Sequence, residues 1–295
     1  MLRLREDVPL FPGGRKKCLT LSFDDGTVED LKITQMLRDR GLAATFNLNP
    51  GLFGHDDHLD CRPVLECQHT KLTADRIAAT YEGFEIACHG LTHAHLGRVP
   101  SSMAAYEIAE CKKRLEDIVH EPVRGMAWPI RYRDPDVARE RETARACGIC
   151  YARTTTRSYG YVGFPEDFLH WDAACSYVEP QLAELTEGFL KPVEDKAYVE
   201  PLLYYVWGHG YEATGRNAWG TLEGFLDQVA GREDEIWYAS NIEVYDYIQA
   251  VRGLVYSATG DYIYNPSRID VWMAIDHAAY RIPSGETITI PDPSK

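Results

Sequence analysis

Two adjacent carboxylates at the end of an apolar run are the residues best suited to chemistry in this sequence. The segment Cys18-Leu-Thr-Leu-Ser-Phe-Asp-Asp-Gly26 alternates apolar and hydroxyl side chains before it reaches Asp24 and Asp25. This alternation predicts a strand over residues 18–23. An Asp-Gly pair is also typical of a hairpin turn, but the apolar residues that follow have helical spacing: Ile33, Met36 and Leu37. Catalytic groups of α/β proteins lie at such strand-to-helix turns, so we predict a functional site here.

Three histidines follow predicted strands and supplement this pair of carboxylates. His89 and His93 are four residues apart and can share a metal ion if the segment between them makes one turn. With Asp25 they supply two imidazoles and one carboxylate, a set that leaves an open position on a catalytic metal. Asp24, beside a ligand, is a candidate general base. Taken singly, each histidine is as well explained by a structural or surface role, and only the combination predicts a metal site.

Strands and helices alternate along most of the chain and must position these residues. Strand patterns fall at residues 18–23, 43–48, 84–89, 123–128, 149–155, 170–175, 202–207 and 236–240. Helical periodicity falls at residues 33–37, 73–81, 101–118, 135–147, 182–189, 222–229 and 244–251. This alternation of about seven strand–helix units predicts an α/β protein, a distorted parallel (β/α) barrel rather than an open sheet.

The remaining segments determine the predicted domain bounds. Residues 1–17 read as an N-terminal arm of irregular structure, 18–255 as the barrel, and 256–295 as a small C-terminal β-rich extension of the same domain. Residues 51–72 show no clear periodicity and contain a group of potential ligands: His55, Asp56, Asp57, His58, Cys61, Cys67 and His69. Their spacing matches no common zinc module, so a loop over the active site is favoured over a zinc-binding insert.

Composition excludes several classes of partner. The chain has 295 residues, is 45% hydrophobic and carries a net charge of −14, which argues against nucleic acid and acidic membrane surfaces as partners. The sequence contains no stretch typical of a signal peptide or a membrane span. Eight cysteines in so long a chain do not indicate a disulfide scaffold, and we therefore predict a reducing, cytoplasmic setting. The pair Cys147 and Cys150 has redox spacing but closes a predicted helix, so a packing role is favoured.

With these motifs the sequence resembles the polysaccharide deacetylases of carbohydrate esterase family 4. Ser22-Phe-Asp-Asp-Gly26 resembles the family's Thr-Phe-Asp-Asp-Gly motif, and His89-Gly-Leu-Thr-His93 resembles its His-Ser/Thr-x-x-His motif. Trp207-Gly-His209 resembles the late motif that carries a catalytic histidine. The resemblance extends over residues 18–250. The family's fold, a distorted barrel of fewer than eight units, agrees with the alternation of strands and helices.

The resemblance implies a role for each motif residue. Asp25, His89 and His93 would bind one divalent metal ion. Zinc suits this ligand set best, and nickel, cobalt or iron could occupy it. Asp24 would be the general base and His209 the general acid.

Other parts of the family pattern are changed or less distinct. The third motif is normally Arg-Pro-Pro-Tyr-Gly, and the matching stretch Ala127-Trp-Pro-Ile-Arg131 lacks the arginine that orients the base. The backbone N–H of Ile130 occupies the position of the oxyanion donor. Asp172 is the best match to the acidic partner of the catalytic histidine, and Gly90 replaces a hydroxyl residue. Three arginines could substitute for the missing one: Arg124, Arg131 and Arg133.

The predicted function is a metal-dependent hydrolase that removes acetyl groups from a carbohydrate, with N-acetyl favoured over O-acetyl. Two alternatives remain open. One is a carbohydrate-binding relative that has lost turnover, because the motif arginine is missing. The other is a hydrolase of a non-sugar C–N bond in a small molecule. Four aromatic residues near His209 could stack on a sugar or belong to the barrel core, which is favoured for at least half of them: Tyr204, Tyr205, Trp207 and Tyr211.

Overall fold

Parallel strands curve into a nearly closed barrel in the computed structural model of the chain, which describes residues 6–63, 65–130, 137–161, 163–193 and 201–290. The strands are β1 (Asp7–Leu10), β2 (Lys17–Asp24), β3 (Thr45–Leu48), β4 (Asp56–Cys61), β5 (Leu65–Thr70), β6 (Glu85–Cys88), β7 (Gly125–Ala127), β8 (Tyr151–Arg157), β9 (Trp171–Ala173), β10 (Cys175–Ser176), β11 (Leu202–His209), β12 (Ile236–Tyr238), β13 (Val255–Tyr256), β14 (Tyr262–Tyr264), β15 (Val271–Ile275), β16 (Ala278–Ile282) and β17 (Thr287–Thr289). The helices are α1 (Asp30–Arg38), α2 (Ala74–Thr80), α3 (Ser101–Val119), α4 (Val137–Ala146), α5 (Gln181–Leu190), α6 (Gly210–Gly215), α7 (Trp219–Val229) and α8 (Asn241–Arg252).

The main sheet has nine strands and confirms the predicted barrel. Its strands follow the order β10-β11-β2-β3-β6-β7-β8-β9, and β12 also pairs with β2. The stretch 171–176 nearly closes the ring, because β9 pairs with β8 while β10 pairs with β11. Between them, the backbone N–H of Ala174 donates to the carbonyl of Tyr205 at 2.8 Å. Each of the eight predicted strands is present, with ends shifted by a few residues.

Strand β2 lies in the middle of this sheet and is buried along its whole length. Leu19, Leu21 and Phe23 belong to the large cluster between the sheet and its helices. Burial of such side chains stabilises the fold by about 1.5–3 kcal/mol each. On the opposite face, Ser22 accepts a hydrogen bond from the buried hydroxyl of Tyr205 at 3.0 Å. The alternation in the sequence therefore separates the apolar face of β2, which packs on the helix-covered core, from its opposite face, where Thr20, Ser22 and Asp24 are polar and buried.

Two segments contain structure that the sequence patterns did not predict. Residues 56–70 form an antiparallel hairpin of β4 and β5, although no periodicity was expected in the loop 51–72. Only β5 alternates clearly: Leu65 and Cys67 are buried and face Gly215 of α6, and their polar neighbours are exposed. The N-terminal arm, predicted to be irregular, contains β1, which pairs with β15. Strand β1 has only four residues and its partner lies near the other end of the chain, so the local sequence gives little indication of a strand.

The C-terminal segment is rich in strands, as predicted. Strands β1, β15 and β16 form one small antiparallel sheet, and β13, β14 and β17 form another. Near the end of α4, Cys147 and Cys150 are free thiols. Burial raises the pKa of Cys147, and this side chain packs on the main core, which supports the predicted packing role. None of the helices described in the structure has the length and apolar content needed to cross a membrane.

Candidate metal centre

The register of β2 with its two neighbours brings three polar residues together at the carboxyl edge of the barrel. Asp24 is paired with His209 of β11 on one side and with Asn47 of β3 on the other. The Asn47 amide Nδ2 donates to Asp24 Oδ1 at 2.8 Å, and Nε2 of His209 lies 3.9 Å from Asp24 Oδ2. Asp24 itself is buried. The parallel sheet thus assembles residues that are far apart in the sequence.

Asp25, His89 and His93 form a cluster next to Asp24. One potential ligand atom from each residue lies within 4.8 Å of the others. His93 Nε2 is 3.8 Å from Asp25 Oδ1, and the two imidazole rings have centroids 4.8 Å apart. Two imidazoles and one carboxylate suit a divalent transition metal with an open coordination position. The residues predicted as ligands therefore fit a metal ion.

The orientation of His89 is fixed by the neighbouring strand β7. Its Nδ1–H donates to the carbonyl of Ala127 at 2.9 Å, so Nε2 is directed at the cluster. A hydrogen bond of this kind sets the tautomer and ring direction of a metal-binding histidine. Burial lowers the pKa of His89 to about 4 and also lowers the pKa of His93. Both rings are then neutral near pH 7, the form that binds metal.

The loop that carries both histidines is held by two buried residues that the sequence reasoning missed. The amide of Asn49 donates to the carbonyls of His89 and Gly90. Glu107 of α3 accepts hydrogen bonds from the backbone N–H of Thr92 at 2.9 Å and from its hydroxyl at 2.7 Å. Gly90 has a φ of +74°, and this backbone conformation accounts for glycine where the family has a hydroxyl residue.

The missing motif arginine is replaced by Arg153 of β8. Its guanidinium donates to Oδ2 of Asp24, and both side chains are at most 1% exposed. The guanidinium carbon also lies 4.0 Å from the ring centroid of Trp207. Burial alone would raise the pKa of Asp24, but Arg153, together with His89 and His209, holds it below its usual value. Asp24 is therefore ionised and able to accept a proton.

None of the three arginines predicted to replace the motif arginine is observed in contact with Asp24. Arg124 forms a paired hydrogen bond with Asp246 on α8 instead, at 2.8 and 2.6 Å. Arg131 and Arg133 lie outside the described residues. The signal for Arg153 was its position in the predicted strand 149–155, whose other residues are apolar or carry hydroxyl groups. A charged residue is rarely buried without a partner.

We expect Arg153→Met to lower the free energy of unfolding by about 3–5 kcal/mol, because it leaves Asp24 buried without its main countercharge. Arg124→Met is a matched control, since it breaks an arginine–carboxylate pair whose side chains are 38% and 34% exposed. Arg124→Met should lower the free energy of unfolding by about 1 kcal/mol or less. Urea unfolding of both variants measures the difference. Equal losses would contradict the role assigned to the buried pair.

The carboxylate partner of His209 is Glu212, and the prediction of Asp172 was wrong. His209 Nδ1 lies 3.0 Å from Glu212 Oε2 at the start of α6. Asp172 on β9 instead accepts a hydrogen bond from the hydroxyl of Thr154 and lies 3.7 Å from His170. His209 and Glu212 form a capping box at the start of α6, a helix that the sequence patterns did not predict.

The position of His209 also depends on close packing around its neighbours. A Cβ atom on Gly208 would lie only 2.3 Å from the ring of Tyr177, so that ring requires glycine there. The Tyr177 hydroxyl donates to the carbonyl of His209 at 2.6 Å. Tyr211 packs against the His209 ring, with centroids 4.9 Å apart. Of the aromatic residues considered for sugar stacking, three are buried in the barrel: Tyr204, Tyr205 and Trp207.

Ile130 lies in the bend directly after β7. It follows three residues after Ala127, whose carbonyl holds His89, and its side chain is exposed. Its φ of +63° is unusual for a β-branched residue. Backbone strain of this type is found most often at functional sites. The oxyanion role of its N–H stays a prediction.

The fold and the cluster define a (β/α)-barrel protein with a candidate catalytic metal centre at the carboxyl ends of its strands. Residues 12–152 match the family model described as polysaccharide deacetylase. Over these residues, just under half of the chain, the sequence is similar to the polysaccharide deacetylase family, as its motifs predict. No curated protein matches the sequence at a significant level.

Solved structures show the same fold. One is a protein from Mycobacterium smegmatis described as a polysaccharide deacetylase, with 16% identity and a TM-score of 0.54, matched over 83% of this chain and 94% of that one. Another is the Xyl-CE4 domain of a multidomain xylanase from the hindgut metagenome of Trinervitermes trinervoides, with 14% identity and a TM-score of 0.50, matched over 79% of this chain and 92% of that one. At such identities the similarity concerns the fold alone.

Proposed function

We propose that this protein is a metal-dependent deacetylase that removes acetyl groups, N-acetyl in preference to O-acetyl, from a carbohydrate. The observation that carries the proposal is the placement of an ionised Asp24 beside the trio Asp25, His89 and His93, with His209 on the adjoining strand. Base, metal ligands and acid are then within reach of one bound acyl group. The family match supports deacetylation as the reaction class.

Each residue has a distinct task in this reaction. A metal ion, with zinc as the proposed ion, would be held by Asp25, His89 and His93; when bound it polarises the acyl oxygen and lowers the pKa of water. Asp24 takes a proton from the attacking water. His209 delivers a proton to the leaving amine. The backbone N–H of Ile130 would donate to the oxygen on which negative charge develops.

Arg153 weakens the argument for a relative that binds carbohydrate without turnover. That alternative rested on the missing motif arginine, whose task is to orient the base. Arg153 contacts Asp24 from β8, the strand next to β7, and keeps the Asp24 carboxyl ionised. The base is thus held by an arginine that reaches it from another direction, and catalysis is the better supported function.

The experiment that tests the function is a screen for released acetate and ammonia. The panel contains N-acetylated and O-acetylated sugars, their oligomers, and cyclic amides, each with the zinc-loaded protein. We expect acetate from N-acetylated sugars, at rates that fall when the metal is removed with a chelator. Ammonia from cyclic amides without acetate from any sugar would replace the proposal with a non-sugar C–N hydrolase. Binding of sugars without release of either product would favour the binding-only alternative.

The pH profile should report the contact between His209 and Glu212. Burial would lower the pKa of His209, but the hydrogen bond and charge of Glu212, with the charges of Asp24 and Asp25, raise it above its usual value. A general acid is active while protonated, so the rate should fall as pH rises through this pKa. Glu212→Gln removes the contribution of Glu212 to this raised pKa. We therefore expect the alkaline limb of the rate profile to move to lower pH.

The same substitution at an exposed glutamate is the control for this profile. Glu187 on α5 has a side chain that is 75% exposed and pairs with Lys191 on the surface. Glu187→Gln should leave the alkaline limb where it is in the wild type. An unchanged limb in Glu212→Gln would assign that limb to a group other than His209.

A further inference from the structure

The hairpin of β4 and β5 is fixed to the strand end that carries the metal-binding aspartate. Lys71, the residue after β5, forms a β-bridge with Thr27. The backbone N–H of Val28 donates to the carbonyl of Thr70 at 3.0 Å, and that of Leu72 donates to the carbonyl of Gly26 at 2.9 Å. The end of the hairpin is thus held by the turn that follows Asp25.

This attachment places a buried ammonium group against the metal ligand. Lys71 Nζ lies 3.0 Å from Asp25 Oδ1 and donates to the Asp25 backbone carbonyl at 2.8 Å. The Lys71 side chain is only 3% exposed. Oδ1 is also the carboxylate oxygen that faces His93, at 3.8 Å from its Nε2. On the other side, His69 Nε2 lies 3.5 Å from Asp25 Oδ2.

The charges at the carboxyl edge of the barrel show why a buried lysine is needed beside Asp25. Asp24 and Asp25 are adjacent, buried carboxylates, and Arg153 compensates only Asp24. A buried carboxylate without a partner strongly destabilises a fold. Without a metal ion, Lys71 is the cation in direct contact with Asp25. The backbone of Asp25, with a φ of +84°, is also held through its carbonyl by this lysine.

We propose that Lys71 is the built-in counter-ion of the metal centre: it stabilises Asp25 while no metal is bound and weakens the binding of the metal. The second effect follows because ammonium group and metal ion compete for the same carboxylate oxygen. The inference rests on the proposed metal site at Asp25, His89 and His93. It assigns to the inserted hairpin a role in setting metal affinity.

Two effects of Lys71 on the metal act in opposite directions. A residue that orients a ligand strengthens metal binding, and its loss typically costs 10–100-fold in affinity. A fixed positive charge repels a divalent cation, and this repulsion is doubled by the metal's charge and weakly screened at a buried site. Without Lys71 the Asp25 backbone is still held by its N–H bond to the carbonyl of Asn47 at 2.9 Å, and its carboxylate still has His69 Nε2 at 3.5 Å. The repulsion should therefore dominate.

The test measures zinc affinity and thermal stability of variants at position 71. Lys71→Gln removes the charge but keeps a hydrogen-bond donor, and Lys71→Arg keeps the charge. We expect Lys71→Gln to bind zinc about tenfold tighter or more than the wild type, by competition with a chromophoric chelator. Its metal-free form should melt at a lower temperature, and zinc should raise its Tm by more than in the wild type. Lys71→Arg should stay close to the wild type in both measurements.

Controls separate this inference from the proposed function. Lys191→Gln removes the charge of a side chain that directly follows α5 and is 67% exposed, and should leave zinc affinity unchanged. Equal or weaker zinc binding by Lys71→Gln overturns the role of Lys71 while the metal site stands. If neither the wild type nor Lys71→Gln binds zinc, the metal site itself is wrong and the inference fails with it. Lys71→Met, refolded with zinc, provides the same comparison if Lys71→Gln does not fold.

Discussion

Asp24→Asn is expected to reduce turnover by roughly 10²-fold or more, the usual scale for the loss of a general base. The substitution keeps the size of the side chain but removes its ability to take a proton. Arg153, which donates to Oδ2 of Asp24 in the wild type, remains in place to donate to the amide oxygen, whereas the amide nitrogen then faces the donor Asn47. Because Arg153 loses its countercharge, the variant should be less stable than the wild type. Turnover is therefore compared for the folded protein, and the loss should appear in kcat rather than in KM.

Metal content distinguishes the roles of the two aspartates. Asp24→Asn should keep its metal, because the ligands Asp25, His89 and His93 are unchanged. Asp25→Asn should lose metal and activity together. Elemental analysis of both variants, beside circular dichroism to verify folding, provides the comparison. If Asp24→Asn loses the metal and Asp25→Asn keeps it, the two carboxylates have been assigned in reverse.

His93→Ala is expected to abolish metal binding and reduce turnover to the level of the chelator-treated wild type. Its ring supplies one of the three ligand atoms, and two ligands alone bind a divalent ion far more weakly. His93 is the more informative histidine to replace, because its side chain is 31% exposed whereas that of His89 is 2% exposed. A loss of metal from His93→Ala is therefore less easily confused with unfolding.

His95→Ala is the matched control for this experiment. His95 lies two residues further along the same loop and, unlike His93, is not part of the cluster of ligand atoms found among the described residues. Metal analysis should find one divalent ion per chain in the wild type and in His95→Ala, and far less in His93→Ala. Full metal content in His93→Ala would exclude the cluster as the binding site.

Neighbouring strands, rather than the motifs themselves, complete the catalytic site. Asp24 and Arg153 are 129 residues apart in the sequence, yet they form a buried ion pair. The register of β7 with β8 sets Arg153 beside Ala127, the residue whose carbonyl orients His89. One strand pairing thus supports both the base and a metal ligand. An arginine lost from the third motif can be replaced in this way from an adjacent strand.

The sequence by itself determined the barrel and the metal cluster. The alternation of strand and helix patterns depends on local burial, so it identified all eight strands that were predicted. Asp25 and His89 could be named because each directly follows such a strand, and His93 because it is four residues beyond His89. Parallel strands place their carboxyl ends at one edge. The predicted domain bounds, the cytoplasmic setting and the identity of the metal stay predictions.

Only the tertiary structure decided which charged groups compensate the site. Arg153, Lys71 and Glu212 contact Asp24, Asp25 and His209 respectively, and none of them was assigned to the site from the sequence. Buried charges must be paired, but the pairing requirement does not say which residue is the partner. That choice depends on strand register and on the attachment of an inserted hairpin, which are set by contacts between distant segments. Glu212 lies only three residues from His209, but the helix start at which the two form a capping box was not predicted from the sequence.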